Sequence, residues 1–147
     1  MRAARPVLRF LRAPLRKKGV ALEAVLALGA ARLVTLLPAR YYLGRPSAEP
    51  AAPGRGRGDP AEIGRVVAGV AAVVPIRSAC LQQALALRWM LGRRGWRPVL
   101  HLGLNRNPAA RADPKAGQAA HAWLTLDETV VLGGHDLDRY AALGRFC

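Results

Sequence analysis

The stretch SACLQQALALRWMLGRRG, residues 78–95, decides how this chain folds. Its Ala, Leu and Gln residues favour a helix, and Arg93-Arg94 followed by Gly95 form a typical C-terminal end. Cys80 stands at the start of the stretch. A thiol at a helix N-terminus lies at the positive end of the helix dipole, which favours the nucleophilic thiolate. We therefore predict a central helix that carries a nucleophile in its first turn.

After Gly95 the hydrophobic pattern changes from helical to alternating. Residues 96–104, WRPVLHLGL, and residues 120–126, AHAWLTL, predict β-strands, and residues 129–132 predict a further short strand that ends at Gly133-Gly134. Asp127-Glu128 predicts a two-residue hairpin, although the usual Gly is missing. Helices followed by a small antiparallel sheet predict an α+β fold in which the helix bearing the nucleophile packs on the sheet.

The segments around the central helix are predicted as helices and loops. Residues 20–37 predict a helix that Pro38 stops, residues 44–60 are a Pro/Gly-rich linker, and residues 105–118 are a polar loop. Asp59-Pro60 predicts the N-cap and first position of another helix. The apolar face of that helix comprises Ile63, Val66, Val67, Val70 and Val73. For the end of the chain, Asp136 to Phe146, we predict a short closing helix or turn.

These patterns predict one domain with an N-terminal extension. Residues 1–58 are interpreted as a basic arm, a helix and the linker, and residues 59–147 as the core. The chain has 147 residues, 52% of them hydrophobic, which is enough apolar material for a core.

The net charge and the cysteine count indicate the kind of partner and the cellular compartment. A net charge of +14 predicts an acidic partner, and only two cysteines, Cys80 and Cys147, predict a reducing compartment, hence the cytoplasm. The apolar run from Val20 to Leu37 is interrupted by Glu23 and Arg32 and is followed by no small-residue cleavage site. It is therefore interpreted as neither a signal peptide nor a membrane-spanning helix.

The N-terminal arm is the most basic part of the chain. Its cations recur at helical spacing beside apolar residues, but Pro6 and Pro14 interrupt the pattern. A solvated basic arm is the favoured interpretation, and a helix that binds a membrane surface or a partner is the alternative. Nucleic acid is not predicted as a partner, because no DNA-binding motif accompanies the charge. The cations are Arg2, Arg5, Arg9, Arg12, Arg16, Lys17 and Lys18.

Cys80 and His121 are the candidate catalytic pair. A lone cysteine is often a small core residue, but the helix start, the nearby cations Arg77 and Arg88 and a histidine on a later strand favour a thiolate–imidazolium pair. His121 shares a strand face with Trp123, whereas Ala122, Leu124 and Leu126 face inward. His101 is interpreted as structural, and His135 is a weaker competitor. Because no paired Cys or His spacing occurs, no metal site is predicted.

The acid, the oxyanion donors and the substrate contacts of such a site each have candidates in the sequence. Asp136 is the preferred acid to orient the imidazole, and Asp127 is the alternative. An oxyanion hole needs the N–H group of Cys80 and a second donor, for which Gln83 and Gln82 are candidates, with exposed helix residues as the alternative interpretation. Trp123, beside the imidazole, is grouped with the substrate-contacting residues.

Four motifs carry a resemblance to a known family. They are CLQQALALRWMLGRRGWRP (80–98), LHLGL (100–104), AHAWLTL (120–126) and LGGHDLDRY (132–140). Together they resemble the leader peptidases of lasso-peptide biosynthesis, the B-type proteins, whose domain is transglutaminase-like and belongs among the papain-like cysteine proteases. The agreement extends to residues 20–43, where such proteins carry an Ala/Leu-rich helix that ends in a proline. The resemblance implies Cys80 as nucleophile, His121 as base, and no cofactor. Where relatives place the acid, this chain has Gly133, which leaves Asp136, Asp127 or a Cys-His dyad.

The resemblance also implies a function and partners. Such enzymes cleave a ribosomally made precursor after its leader and free the core peptide for macrolactam closure by a separate ATP-dependent lasso cyclase. The leader is presented by a small recognition protein, here expected as a separate partner because residues 1–60 are too short and helical for it. The alternatives are acyl transfer of the transglutaminase or amidase type, and a non-catalytic basic scaffold that binds a peptide or a membrane.

Overall fold

A computed structural model describes residues 15–47, 54–74, 79–113 and 117–147, with side chains from residue 18 onward. Most of the predicted basic arm and part of the linker lie outside these residues. The described ranges contain the helices α1 (Leu15–Val34), α2 (Pro60–Val73), α3 (Cys80–Gly92) and α4 (Pro108–Ala112), and short 3-10 helices at Ala39–Tyr41 and Leu137–Arg139. The strands are β1 (Val99–Asn105), β2 (Ala120–Leu126), β3 (Thr129–Leu132) and β4 (Tyr140–Phe146).

The strands form one antiparallel sheet in the order β3-β2-β1-β4. The predicted hairpin between β2 and β3 is confirmed. Asp127 and Glu128 both have positive φ, 48° and 65°, as the two central residues of a type I′ turn require. Asp tolerates this conformation better than most residues, which explains how the turn forms without Gly. The α+β fold class is also confirmed.

The prediction for the end of the chain is wrong from Tyr140 onward. A 3-10 turn does precede this point, but residues 140–146 form β4, which pairs with β1 from Leu100↔Phe146 to Asn105↔Tyr140. The sequence YAALGRF has little β-propensity and no clean alternation. This strand forms because the edge of β1 that β2 leaves open offers backbone partners, a contact between residues distant in the sequence.

Helix α3 lies at the centre of the fold, in contact with α1, α2, β1 and β2. Its buried side chains are Gln82, Ala84, Leu85, Ala86, Leu87, Met90 and Leu91. The predicted C-terminal end is confirmed, because Gly95 has a φ of 88° and the Trp96 N–H donates to the Leu91 carbonyl at 3.1 Å. The first turn of α3, with Cys80, is thus held on a buried and well-packed element.

Helices α1 and α2 pack on α3 and complete the core. Asp59 caps α2 as predicted, since its carboxylate accepts a hydrogen bond from the N–H of Ala61 at 2.9 Å. Ile63 and Val67 are buried, but Val73 is 62% exposed, so the predicted apolar face ends one turn early. Helix α1 contributes Ala24, Leu28 and Ala31 to the same core. The predicted domain boundary at residue 58 stays a prediction.

An ion pair fixes α1 to the segment after α3. The Arg94 guanidinium donates to both carboxylate oxygens of Glu23, at 3.0 Å for one of them, and this contact holds the pKa of Glu23 below its usual value. Because the pKa is lowered in the folded state, the pair stabilises the fold at neutral pH and loses that effect as the pH falls through the folded pKa. None of the helices in the described ranges is both long and apolar enough to cross a membrane.

The contact between α2 and β3 depends on Gly64. A Cβ atom at this position would overlap the carbonyl oxygen of Val131, whereas at Gly69, in the same helix, it would meet no atom. We expect Gly64→Ala to lower the free energy of unfolding by about 1–3 kcal/mol. Gly69→Ala is the matched control and should raise it by about 0.5–1 kcal/mol, because Ala favours helix. Urea denaturation measures both, and equal unfolding midpoints would contradict the packing described.

Candidate active site

Cys80 is the first residue of α3, and its side chain is half-buried. The first hydrogen bond of the helix runs from the N–H of Gln83 to the carbonyl of Ala79, at 3.1 Å. The N–H groups of Cys80 and Leu81 therefore have no acceptor within the helix. They lie at the positive end of the helix dipole and favour negative charge on a nearby sulfur or oxygen atom.

Gln118 is the residue that contacts the Cys80 thiol directly. Its side-chain Nε2 donates a hydrogen bond to the sulfur at 3.1 Å. It lies just before β2 and three residues before His121, so the contact brings the start of β2 to the N-terminus of α3. The sequence-based predictions did not include Gln118. The available signal was a polar side chain closely preceding a candidate catalytic histidine.

His121 lies on β2, and a backbone carbonyl fixes its tautomer. Its Nε2 is 2.8 Å from the carbonyl oxygen of Gly133. Because a carbonyl oxygen only accepts hydrogen bonds, Nε2 carries the hydrogen, and the lone pair of the neutral ring is on Nδ1. Nδ1 is buried and has no hydrogen-bond partner in the part of the chain that the structure describes. In the neutral ring, Nδ1 is therefore the nitrogen that can accept a proton.

The structure brings neither predicted acid to His121. The carboxylate of Asp136 is exposed and lies 3.7 Å from the guanidinium of Arg139, and Asp127 is exposed at the tip of the hairpin. The orienting partner is the Gly133 carbonyl instead. Gly133 has a φ of 77°, and a Cβ there would lie 2.8 Å from the carbonyl oxygen of Ala122. With this backbone, a side chain does not fit at position 133.

Aromatic rings surround the imidazole of His121. The Trp123 indole stacks between two histidines, with ring centroids 5.3 Å from His101 and 6.2 Å from His121, and the Tyr140 ring lies 5.0 Å from His121. Trp123 is only 8% exposed and forms a wall beside the ring; its role as a substrate contact stays a prediction. These contacts restrict the imidazole to one orientation.

The other two histidines differ from His121 in their contacts. His101 is hydrogen-bonded through Nε2 to the Thr125 hydroxyl at 2.8 Å, and burial together with the nearby Arg145 lowers its pKa. His135 is exposed. Among the described residues, no group of three or more His, Cys, Asp or Glu side chains could hold a metal ion.

One predicted cation is not beside the thiol. Arg88 lies eight residues after Cys80, about 12 Å along the helix axis, and its guanidinium donates to the carbonyl of Leu43. That part of the prediction is wrong, because i and i+8 positions share a helix face without being in contact. Arg77 lies outside the described residues. The described groups that favour negative charge at Cys80 are therefore the N–H groups of α3 and the amide of Gln118.

The two candidate glutamines have different surroundings. Gln82 is buried, its Oε1 accepts from the N–H of Ala79 at 2.6 Å, and its Nε2 donates to the hydroxyl of Thr35 at 3.1 Å. One end of its amide thus caps the start of α3, and the other joins α3 to Thr35, just after α1. Gln83 is half-buried, and its role as an oxyanion donor stays a prediction.

Because Gln82 joins two helices, we expect Gln82→Ala to lower the free energy of unfolding by about 1–3 kcal/mol, since it leaves buried polar groups unpaired. Thr35→Ala removes the partner hydroxyl and serves as the matched change. The double variant should be less destabilised than the sum of the two single variants, as measured by urea denaturation. Strictly additive effects would contradict the hydrogen bond between the two side chains.

A comparison with protein families identifies the superfamily of the chain. Residues 21–145 match the family model of the transglutaminase-like superfamily. The chain belongs to this superfamily. Its members generally include cysteine-type enzymes, and both Cys80 and His121 lie within the matched residues. No curated protein and no solved structure matches the chain significantly.

Proposed function

We propose that this member of the transglutaminase-like superfamily is a cysteine peptidase that removes the leader from a lasso-peptide precursor. The observation that carries the proposal is the state of His121, whose Nε2 is held by the Gly133 carbonyl and whose Nδ1 has an unused lone pair. The motif resemblance and the family match support the same reading. Cys80 and His121 act as a dyad, and Asp136 and Asp127 take no part in it.

The chemistry follows from these groups. Nδ1 of His121 accepts the proton of the Cys80 thiol, and the sulfur attacks the carbonyl carbon of the scissile peptide bond. The N–H group of Cys80 donates to the oxyanion, with Gln83 as the candidate second donor. The imidazolium then gives its proton to the leaving amine as the C–N bond breaks. Water, deprotonated by His121, hydrolyses the thioester and releases the leader and the free thiol.

Gln118 and the aromatic wall position the reacting groups. The amide of Gln118 donates to the sulfur and stabilises negative charge on it. Trp123 and Tyr140 keep the imidazole in its orientation. The proposed partners are the precursor peptide, a separate leader-recognition protein and an ATP-dependent lasso cyclase, which uses the freed amine of the core peptide.

The test is to incubate the purified chain with a lasso precursor and its recognition protein and to measure product masses. Peptidase activity predicts a leader with a free carboxylate and a core peptide with a free amine. A leader joined to an added amine would show acyl transfer of the transglutaminase type instead. An intact precursor, with binding unaffected by Cys80→Ala, would favour the non-catalytic scaffold.

A further inference from the structure

A groove lies at the end of α3 opposite Cys80. It consists of a cavity of about 760 Å³ and an adjoining cavity of about 540 Å³, which share Trp89 and Arg93. The larger one is also lined by Trp96 and Arg97, and the smaller one by Leu22 and Leu26 of α1. We call these six residues the arginine–tryptophan groove. None of them belongs to the candidate active site.

The groove carries more positive than negative charge. Arg88, Arg93 and Arg97 line the larger cavity, and no acidic residue does. Glu23, in the smaller cavity, is shared by Arg94 and Arg93, whose guanidinium lies 3.1 Å from one carboxylate oxygen, so one carboxylate faces two arginines. Arg97 makes no ion pair with any carboxylate that the structure describes. Arg88 donates to the Leu43 carbonyl; burial lowers its pKa, and the charge of Cys147, in the same cavity, acts in the opposite direction.

The same groove exposes large apolar side chains. Leu22 and Leu26 are 61% and 66% exposed, and the two tryptophans are only partly covered. Indole rings beside guanidinium groups are typical anchors of peptide-binding surfaces. A ligand that fits therefore carries carboxylates next to apolar side chains.

The position of the groove suits a substrate that also reaches Cys80. Arg93 follows Cys80 by thirteen residues, about 20 Å along the axis of α3. An extended peptide spans this distance with about six residues. One peptide can thus occupy the groove and present a bond beyond it to the nucleophile.

We infer that the arginine–tryptophan groove binds an acidic and apolar segment of the peptide substrate, remote from the bond that is cleaved. This inference rests on the proposed peptidase function and specifies which part of its substrate the enzyme recognises. Binding there raises the effective concentration of the scissile bond at Cys80. The positive charge of the groove would also favour acidic over neutral peptides as substrates.

The test measures binding without cleavage, in the Cys80→Ala chain. The probes are a short rhodamine-labelled peptide of Leu and Glu and its counterpart with Gln in place of Glu, followed by fluorescence anisotropy. We expect saturable binding of the Glu peptide, and Arg97→Glu to weaken it about fivefold or more. Leu26→Ser should weaken it as well. Equal weakening by Arg97→Glu and by the control Arg111→Glu, exposed on α4, would show unspecific charge attraction and overturn the inference, as would no saturable binding.

A second readout localises the peptide. With Cys80 replaced, Cys147 is the only thiol in the sequence, and it lines the larger cavity. The Glu peptide should slow alkylation of Cys147 by iodoacetamide, and Leu33→Ser, an exposed control outside the groove on α1, should leave this protection intact. Protection by phosphatidylglycerol vesicles but not by the peptide would assign the groove to a membrane and overturn the inference.

The two proposals fail separately. If the Glu peptide binds the groove but the unmodified chain leaves precursor uncleaved, the peptidase function fails and the acidic-peptide site remains. If precursor is cleaved equally well by the unmodified chain and by Arg97→Glu, the groove is not a substrate site and the peptidase function remains.

Discussion

Replacing Cys80 by Ala should reduce cleavage of the precursor by about 10⁴-fold or more, because Cys80 supplies the sulfur of the proposed thioester. The change removes one sulfur atom from a half-buried position, so the free energy of unfolding should change by no more than about 1 kcal/mol. Mass spectrometry of the products under single-turnover conditions measures the loss. The expected rate is therefore near background in a folded protein.

Cys147→Ala is the matched control for this change. Cys147 is exposed at the other end of α3 and plays no part in the proposed chemistry, so cleavage should persist with it replaced. Cleavage that survives Cys80→Ala would contradict the assignment of the nucleophile. Loss of cleavage in both variants would show that the assay reports on thiols in general.

The second large effect is expected at His121. His121→Ala should lower the cleavage rate by about 10²–10⁴-fold, the contribution typical of a general base. Because the ring packs against Trp123 and Tyr140, urea denaturation must show that the variant is folded at the assay temperature. His121→Gln, which fills more of the space, is a second variant with the same expected loss.

The acids provide the contrast to His121. Since Asp136 and Asp127 are exposed and make no hydrogen bond to His121, Asp136→Asn and Asp127→Asn should each leave the cleavage rate within about twofold. A loss at Asp136 as large as that at His121 would contradict the dyad. It would mean that Asp136 approaches the imidazole when substrate is bound.

Features encoded by neighbouring residues could be predicted from the sequence. The cap of α2 depends on Asp59 and Pro60 alone, and the end of α3 depends on Gly95, which adopts the conformation that few other residues tolerate. The hairpin at Asp127-Glu128 follows from the two alternating segments beside it. In each case the residues that form the feature are close in the sequence.

Features that depend on distant partners could not be predicted. Strand β4 forms because β1 has an open edge, a fact that the sequence YAALGRF does not contain. The partner of the His121 ring is a backbone carbonyl, and a search for side-chain acids could not find it. The hydrogen bond from Gln82 to Thr35, 47 residues away, joins α3 to the chain just after α1, and the local sequence around Gln82 does not contain this contact.

No carboxylate of the described residues is hydrogen-bonded to His121, and this has a physical consequence. A neutral carbonyl fixes the tautomer as well as an acid does, but it stabilises the imidazolium less than a negative charge would. The proposed ion pair between Cys80 and His121 would then depend more on the N–H groups of α3 and on Gln118. Gly133 is essential in this scheme, because its positive φ directs the carbonyl toward the ring.

The most direct test of the Cys80–His121 pair is the rate at which iodoacetamide labels each cysteine at neutral pH, resolved by mass mapping. Only a few per cent of an ordinary thiol is ionised at pH 7, so an activated Cys80 should react at least about tenfold faster than the exposed Cys147. His121→Ala should remove this advantage and leave the Cys147 rate unchanged. A Cys80 that is inert, or no faster than Cys147 with His121 present, would contradict the pair and favour a non-catalytic role for the thiol.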